Sequence, residues 1–354
     1  MKNVFDILEN YIKKIKFNGN IMIAERRKVL YTGSFGNTYH PEGKQELSRA
    51  SVFELASVSK PFTAFAMLKV LDIYHLSLHT DVKYFLPDFP YEGISVFQLL
   101  NHTSGLPDYM ELFEEFWDKT IIADNSDVVG LLTALRPKVY FNPREQWDYC
   151  NTGYVILAVI LEKITGFTFP EVLQKYIFRP LDMKNTMVYN RRKNPQLIPD
   201  YAFGVLSDPE TGKLKLPDEI KGEEYVYYLD GIQGDGTVNS TLDDLLIWNN
   251  AILEQYLVDE KYLDLMFEPT VNNDGQVFSY GLGWELDEKK NDEKQVYHTG
   301  GWPGYFTYNS LYLNSGISVI LLCNKPDTED IEKEILQKLE DAVFGRKRPR
   351  TLYS

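Results

Sequence analysis

The chain has 354 residues, enough to bury a large core in one or two domains. Apolar residues make up 44% and charged residues 25%, the balance of an ordinary soluble globular protein rather than a disordered or fibrous one. The formal net charge of −14 argues against nucleic acid or an anionic membrane as the main partner.

Val4, Ile7, Leu8, Tyr11, Ile12 and Ile15 recur at helical spacing with charges between them. The opening residues, Met1 to Lys16, therefore read as an amphipathic helix and not as a signal peptide. The longest apolar run, 154–161, is too short to span a bilayer. The expectation is a cytoplasmic protein as the chain stands, or a cell-surface one if a leader has been removed. The two cysteines, Cys150 and Cys323, form no C-x-x-C or zinc spacing, so neither a disulfide framework nor a metal is expected.

Residues 20–24 and 29–33 are strand-like and predict a hairpin. Gly33-Ser34-Phe35-Gly36 is too short to cradle a phosphate. Ser57-Val58-Ser59-Lys60 then opens a run, 61–73, that is apolar nearly all round and reads as a buried helix. Pro61 fits the first turn of that helix, which places Ser57 at its N-terminus. Ser57 and Lys60 are three apart and share one face. Orphan N–H groups at such a terminus favour a developing oxyanion. A Ser cap with a snorkelling Lys would explain the same four residues.

From 74 to about 190 the pattern is helical. Ser95 and Gln98 form a capping box; 127–135, 153–165 and 170–178 are further helices, the second closed by Gly166. Residues 200–239 are turn-rich, with a hairpin tip or loop at 208–212 and a flexible joint at Gly231–Gly236. A helix starts at Thr241. Residues 296–301, 305–313 and 317–324 are strand-like, and 329–344 is a charged amphipathic helix. Strands at both ends and helices between them predict an α+β fold. Its antiparallel sheet is built from 1–73 and 240–354 and flanked by the terminal helices, with a mostly helical inserted domain over 74–239.

Two more stretches stand out, Tyr149-Cys150-Asn151 on a loop and His298-Thr299-Gly300-Gly301 on a strand. The order S-x-x-K, Y-x-N, H-T-G is more specific than any one of the three. Together with Asn101–Pro107 and Trp147–Asn151, it resembles the serine β-lactamase and penicillin-binding protein superfamily on its class C side. That branch holds β-lactamases, DD-peptidases, D-amino-acid-specific peptidases and esterases. The resemblance implies a β-lactamase-like fold, with Ser57 as nucleophile and Lys60 and Tyr149 as the proton-handling pair. It assigns the oxyanion hole to the N–H groups of Ser57 and Gly301. Asn151, His298, Thr299 and Gly300 would contact substrate. No cofactor and no metal are implied.

A serine hydroxyl needs a base, and the chain has neither a G-x-S-x-G elbow nor an evident Asp–His pair near Ser57. For Tyr149 to act near pH 7, its pKa of about 10 must fall by roughly three units, worth about 4 kcal/mol. One ammonium at about 4 Å supplies on the order of 4 kcal/mol at an effective dielectric of about 20. A neutral, desolvated Lys60 is the alternative base. His298 stands where many members of the family carry Lys. Histidine is mostly neutral at pH 7, so recognition of a substrate carboxylate weakens and esterases gain weight.

Other residues read more plainly. His102-Thr103-Ser104 reads as a helix ending in a turn. His75 and His79 have ligand-like spacing but no third partner. Cys150 reads as packed, and Trp302 and Tyr305 line the acyl pocket or pack. The sequence thus predicts a serine hydrolase that cleaves an ester or amide through an acyl-enzyme on Ser57. Its substrate would be a small ester, amide, β-lactam or short peptide, without nucleic acid or a membrane segment. The rival readings are a DD-peptidase, D-amino-acid peptidase or β-lactamase acting on cell-wall peptides or β-lactams, and a catalytically idle peptide-binding relative.

Overall fold

The computed structural model describes residues 4–344, apart from 42, 44, 258–259, 290–291 and 327–328. Strands β1 (Gly19–Glu25) and β2 (Lys28–Phe35) form the expected hairpin. The C-terminal part supplies β3 (Glu285–Lys289), β4 (Glu293–Trp302), β5 (Tyr305–Tyr312) and β6 (Ile317–Cys323). The order across the sheet is β3-β4-β5-β6-β1-β2, and every neighbouring pair is antiparallel. Both ends of the chain therefore meet inside one sheet, with Gly19 opposite Cys323 and Glu25 opposite Ile317. Strand β3 was not expected. Its sequence, ELDEK, is polar because it forms an edge, where only one side must pair.

The helices that frame the sheet and the site are α1 (Val4–Lys14), α2 (Lys60–Ile73), α3 (Asn151–Thr165), α4 (Leu242–Leu253) and α5 (Glu329–Phe344). The first helix was expected over 1–16; residues 1–3 lie outside the described residues. Side chains alternate across a strand, and β1 uses both faces. Ile21 and Ile23 join Leu8 and Ile12 of α1 and Ile335 and Leu339 of α5. Met22 and Ala24 face the larger core with Phe62 of α2 and Trp248 of α4. Those two rings lie 4.5 Å apart between centroids. Helix α2 is thus buried between the sheet and the helical region, as its unbroken apolar run requires.

Within the helical region the Ser95–Gln98 capping box is present, and Gly166 closes α3 in the left-handed conformation. The helix expected at 170–178 ends in a π-helical turn over Gln174–Phe178. A helix at Tyr109–Phe116, which the sequence reading passed over behind Pro107, is started by Asp108 accepting from Met110 N–H at 2.9 Å.

The segment 231–236 is not a loose joint. Gly234 adopts φ 110°, and a Cβ there would meet the Tyr154 carbonyl oxygen at 2.4 Å. Its own carbonyl accepts from Thr63 Oγ1 at 2.6 Å. The segment leads into Val238–Ser240, which pairs with Phe53–Glu54 on one side and Met187–Val188 on the other. These short pairings fix the approach to Ser57.

Strand β4 crosses this approach closely. A Cβ on Gly300 would lie 2.3 Å from both the Leu55 carbonyl oxygen and Thr307 Oγ1, whereas one on Gly301 would meet nothing within 4 Å. Gly300→Ala is expected to cost about 1–3 kcal/mol by overpacking, and Gly301→Ala to stay within about 0.5 kcal/mol of wild type. Denaturant unfolding measures both, and equal midpoints would contradict the close approach.

Candidate active site

The turn that carries Ser57 is local in origin. Ala56 holds a left-handed φ of 48°, which an L-residue adopts only when its surroundings enforce it. A 3₁₀ turn over Ala56–Ser59 follows, and α2 begins at Lys60. Ser57 therefore sits at the N-terminal end of α2, where Pro61 placed it, on a tighter turn that leads directly into the α-helix. Residues three apart eclipse in a 3₁₀ turn, so the serine and lysine still meet. Leu55, Ala56, Val58, Ser59 and Lys60 are all buried, and Ser57 alone among them is half-exposed.

Lys60 is fully buried, and its Nζ makes three hydrogen bonds: to Ser57 Oγ at 2.9 Å, Asn151 Oδ1 at 2.8 Å and the Asp235 carbonyl at 2.9 Å. Two of these partners are carbonyl oxygens and can only accept. An amine that gives one proton to each has its third direction on the serine hydroxyl. Burial pulls the Lys60 pKa down to about 8, partly opposed by the Asp235 carboxylate.

Tyr149 stands on the other side of Ser57, and Lys60 Nζ lies 4.9 Å from its ring centroid. It keeps 37% of its surface accessible at the floor of an open cleft. The protein around it is dense, and burial holds its pKa well above the ordinary tyrosine value; the facing Ser57 hydroxyl opposes this only in part. Tyr149 is a neutral phenol at physiological pH.

The ring wall behind Tyr149 was not legible as part of the site. His102 lies 4.4 Å from the Tyr149 ring between centroids and 4.6 Å from Tyr280. Its Nδ1 accepts from Cys150 N–H at 3.0 Å, which places its proton on Nε2. The expectation of a helix-end turn at His102 holds, with φ 61°, but the ring also backs Tyr149. His298 has the opposite tautomer. Its Nδ1 donates to the Thr299 carbonyl at 2.6 Å, so Nε2 accepts from the Tyr280 hydroxyl at 3.0 Å. Burial, helped by the Lys60 charge, pulls His298 down to about 3 and His102 well below the usual imidazole range. Cys150 is buried, and desolvation pushes its thiol up to about 11, so it is a packed side chain and not a thiolate.

On β4, Thr299 donates to Glu285 Oε1 from its hydroxyl at 3.2 Å and its N–H at 3.4 Å. Gly300 and Gly301 pair with Thr307 and Phe306 of β5. Two cavities flank Ser57. One, of about 450 Å³, is lined by Asn151, Glu54, Asp235, Gly301 and Trp302. The other, of about 520 Å³, is lined by Tyr149, Tyr280, Glu285, His298 and Thr299. Both are of the size that holds a small ligand. Trp302 lines the first, whereas Tyr305 is core, donating to the Ala202 carbonyl at 2.9 Å. His79 packs edge-on against Phe97. Among the described residues no group of His, Cys, Asp and Glu is gathered to hold a metal ion, and no helix is long and apolar enough to cross a membrane.

The beta-lactamase family model matches residues 8–342. The chain belongs to that family. It is 41% identical over 345 residues to "Penicillin-binding protein 4*" of Bacillus subtilis (strain 168), covering 98% of this chain and 76% of the relative. The penicillin binding protein from Bacillus halodurans superposes with a TM-score of 0.81 at 23% identity, over 97% of this chain and 100% of the other. A D-amino acid amidase from Ochrobactrum anthropi SV3 gives 0.76 at 22% identity, over 98% of each chain. These two confirm the β-lactamase-like fold. Membership in the family makes the chain a serine hydrolase of the β-lactamase and penicillin-binding protein type.

Both imidazoles in the site are therefore neutral. Nitrogen-detected NMR is expected to show the Nδ1–H form for His298 and the Nε2–H form for His102, with neither titrating between pH 5 and 8. A midpoint near 6.5 for either ring would contradict the burial argument.

Proposed function

We propose that the chain forms an acyl-enzyme on Ser57 and releases it to water, cleaving an amide bond in D-amino-acid-containing peptides of the cell-wall kind. Esters of similar shape are secondary substrates. The observation that carries the reading is the 2.9 Å contact of a buried amine with a half-exposed serine hydroxyl, its other two directions fixed by carbonyl oxygens. The 41% identity to a penicillin-binding protein supports this over a general esterase.

In this reading neutral Lys60 takes the Ser57 proton as Oγ attacks the acyl carbon. At a pKa of about 8, roughly a tenth of Lys60 is neutral at pH 7. Tyr149 would need its own pKa to fall against burial, so its phenolate is scarcely available as the base. As a neutral phenol it gives its proton to the departing nitrogen and is restored by the Lys60 ammonium. The N–H groups of Ser57 and Gly301 receive the oxyanion, in the role that Gly300 serves by letting β4 approach the turn. Asn151 orients the amine. Water then hydrolyses the Ser57 ester, with Lys60 again as the base.

Two measurements test this. Ser57→Ala is expected to lower p-nitrophenyl ester turnover at least about a thousandfold and to remove the fluorophosphonate adduct from the Ser57 peptide. Residual turnover within about tenfold of wild type would remove Ser57 from its role. The lysine must lose its proton to act, so kcat/KM should rise with pH through an apparent pKa near 8. A limb near 6.5 would point to a histidine instead.

A further inference from the structure

The charge lining the two cavities is one-sided. The cavity of about 450 Å³ that opens from Ser57 past Gly301 is faced by Glu54, Glu223, Asp230 and Asp235, and among the described residues no Lys or Arg lines it. Its aromatic lining includes Tyr109, Tyr225 and Trp302. Asp230 is neutralised by Arg192 at 3.0 Å. Arg191 and Arg192 are both held by Asp218. Glu54 is left over. Its carboxylate makes no hydrogen bond or salt bridge among the described residues, and the guanidiniums reach it only at a distance. Burial pushes its pKa up to about 7, the behaviour of a carboxyl without a close counter-ion.

Asp235 adds a second acid. Its carbonyl receives Lys60, so the residue touches the reacting amine, and its carboxylate accepts from Tyr109 Oη at 3.0 Å. Glu223 faces the same cavity beside Tyr225. Glu54 lies three residues before the nucleophile on a strand that Asn239 pins in register. These acids are thus held on the same short frame as Ser57.

Among the described residues the second cavity has no Lys or Arg in its lining either. Neutral His298 supplies no charge there. Thr299 spends its hydroxyl proton on Glu285, which is itself an acid facing the cavity. A leaving group bearing a carboxylate would meet Glu285 there and, among the described residues, no Lys or Arg of the lining.

We infer that the site selects by charge: it takes an acyl group carrying an ammonium, received by Glu54 and Asp235 in the cavity beside Trp302, and a leaving group without a carboxylate. The inference rests on the acyl-enzyme reading above. An ammonium entering the cavity donates a charge-assisted hydrogen bond to Glu54 and lies near aromatic faces. An anionic acyl group would meet several carboxylates and, among the described residues, no Lys or Arg in the lining to compensate them; the Lys60 amine beside Ser57 is already taken up by Ser57, Asn151 and the Asp235 carbonyl. The substrate class is an amine-bearing aminoacyl amide or the N-terminal residue of a peptide, as distinct from a peptide C-terminus or a penicillin, both of which carry a carboxylate.

A matched pair tests it. D-phenylglycine p-nitroanilide and phenylacetyl p-nitroanilide differ only in the α-ammonium. Their kcat/KM ratio at pH 7.5, divided by the ratio of their hydroxide-catalysed rates, is expected to exceed tenfold with the wild-type chain. In Glu54→Gln the corrected ratio should fall at least fivefold. A wild-type ratio of one or less overturns the inference whether or not the variant folds, and so does an unchanged ratio in a folded variant. For the leaving group, D-phenylglycyl-D-alaninamide should be cleaved at least tenfold faster than D-phenylglycyl-D-alanine, and equal rates overturn that half. Failure of both anilides, with no fluorophosphonate adduct on Ser57, removes the acyl-enzyme reading and this inference with it. Turnover of the phenylacetyl compound without preference removes only this inference.

Discussion

A lysine with no exposed surface is expensive to bury, and the structure spends three hydrogen bonds on holding it. Each comes from a different part of the chain. Ser57 is on the 3₁₀ turn before α2, Asn151 begins α3, and the Asp235 carbonyl belongs to the packed segment 231–236. Removing any one would leave a buried donor short of a partner. The sheet and the helical region thus converge on one nitrogen, and the cleft with its two cavities lies around that point.

The same burial sets the chemistry. It brings the amine near neutrality, and it keeps Tyr149, His102 and His298 uncharged. In the proposed mechanism, proton movement is confined to Lys60 and the neutral phenol beside it. Apart from Lys60 itself, the charge that lines the cleft comes from carboxylates, Glu54 and Asp235 on one side and Glu285 on the other. A site built this way reads the charge of what enters it.

Much of this was legible in the sequence, and the reasons differ by element. Ser57 and Lys60 were visible because two side chains three apart must share a face in any helical turn. The hairpin, α3 with Gly166 and the capping box at Ser95 declared themselves by period and by terminal residues. The His298 position showed its departure from lysine directly. The supporting parts were silent. Glu54 and Asp235 belong to no motif and acquire meaning only when Val238–Ser240 pairs with Phe53–Glu54. Gly231–Gly236 looked loose because glycine marks both joints and close packing, and only the contact with Tyr154 decides between them. His102 and Tyr280 reach Tyr149 across long sequence separations, which no local pattern records. Strand β3 hid behind the polar composition of an edge.

The central claim is that Lys60 is an amine poised near neutrality against Ser57. Carbon-detected NMR of the chain labelled at lysine Cε, with Lys60→Met as the assignment control, reads this directly. One resonance should titrate near 8 and vanish in the variant, while exposed lysines titrate near their ordinary value of about 10.4. A spectrum in which the Lys60 resonance titrates at 10 or above would contradict the account.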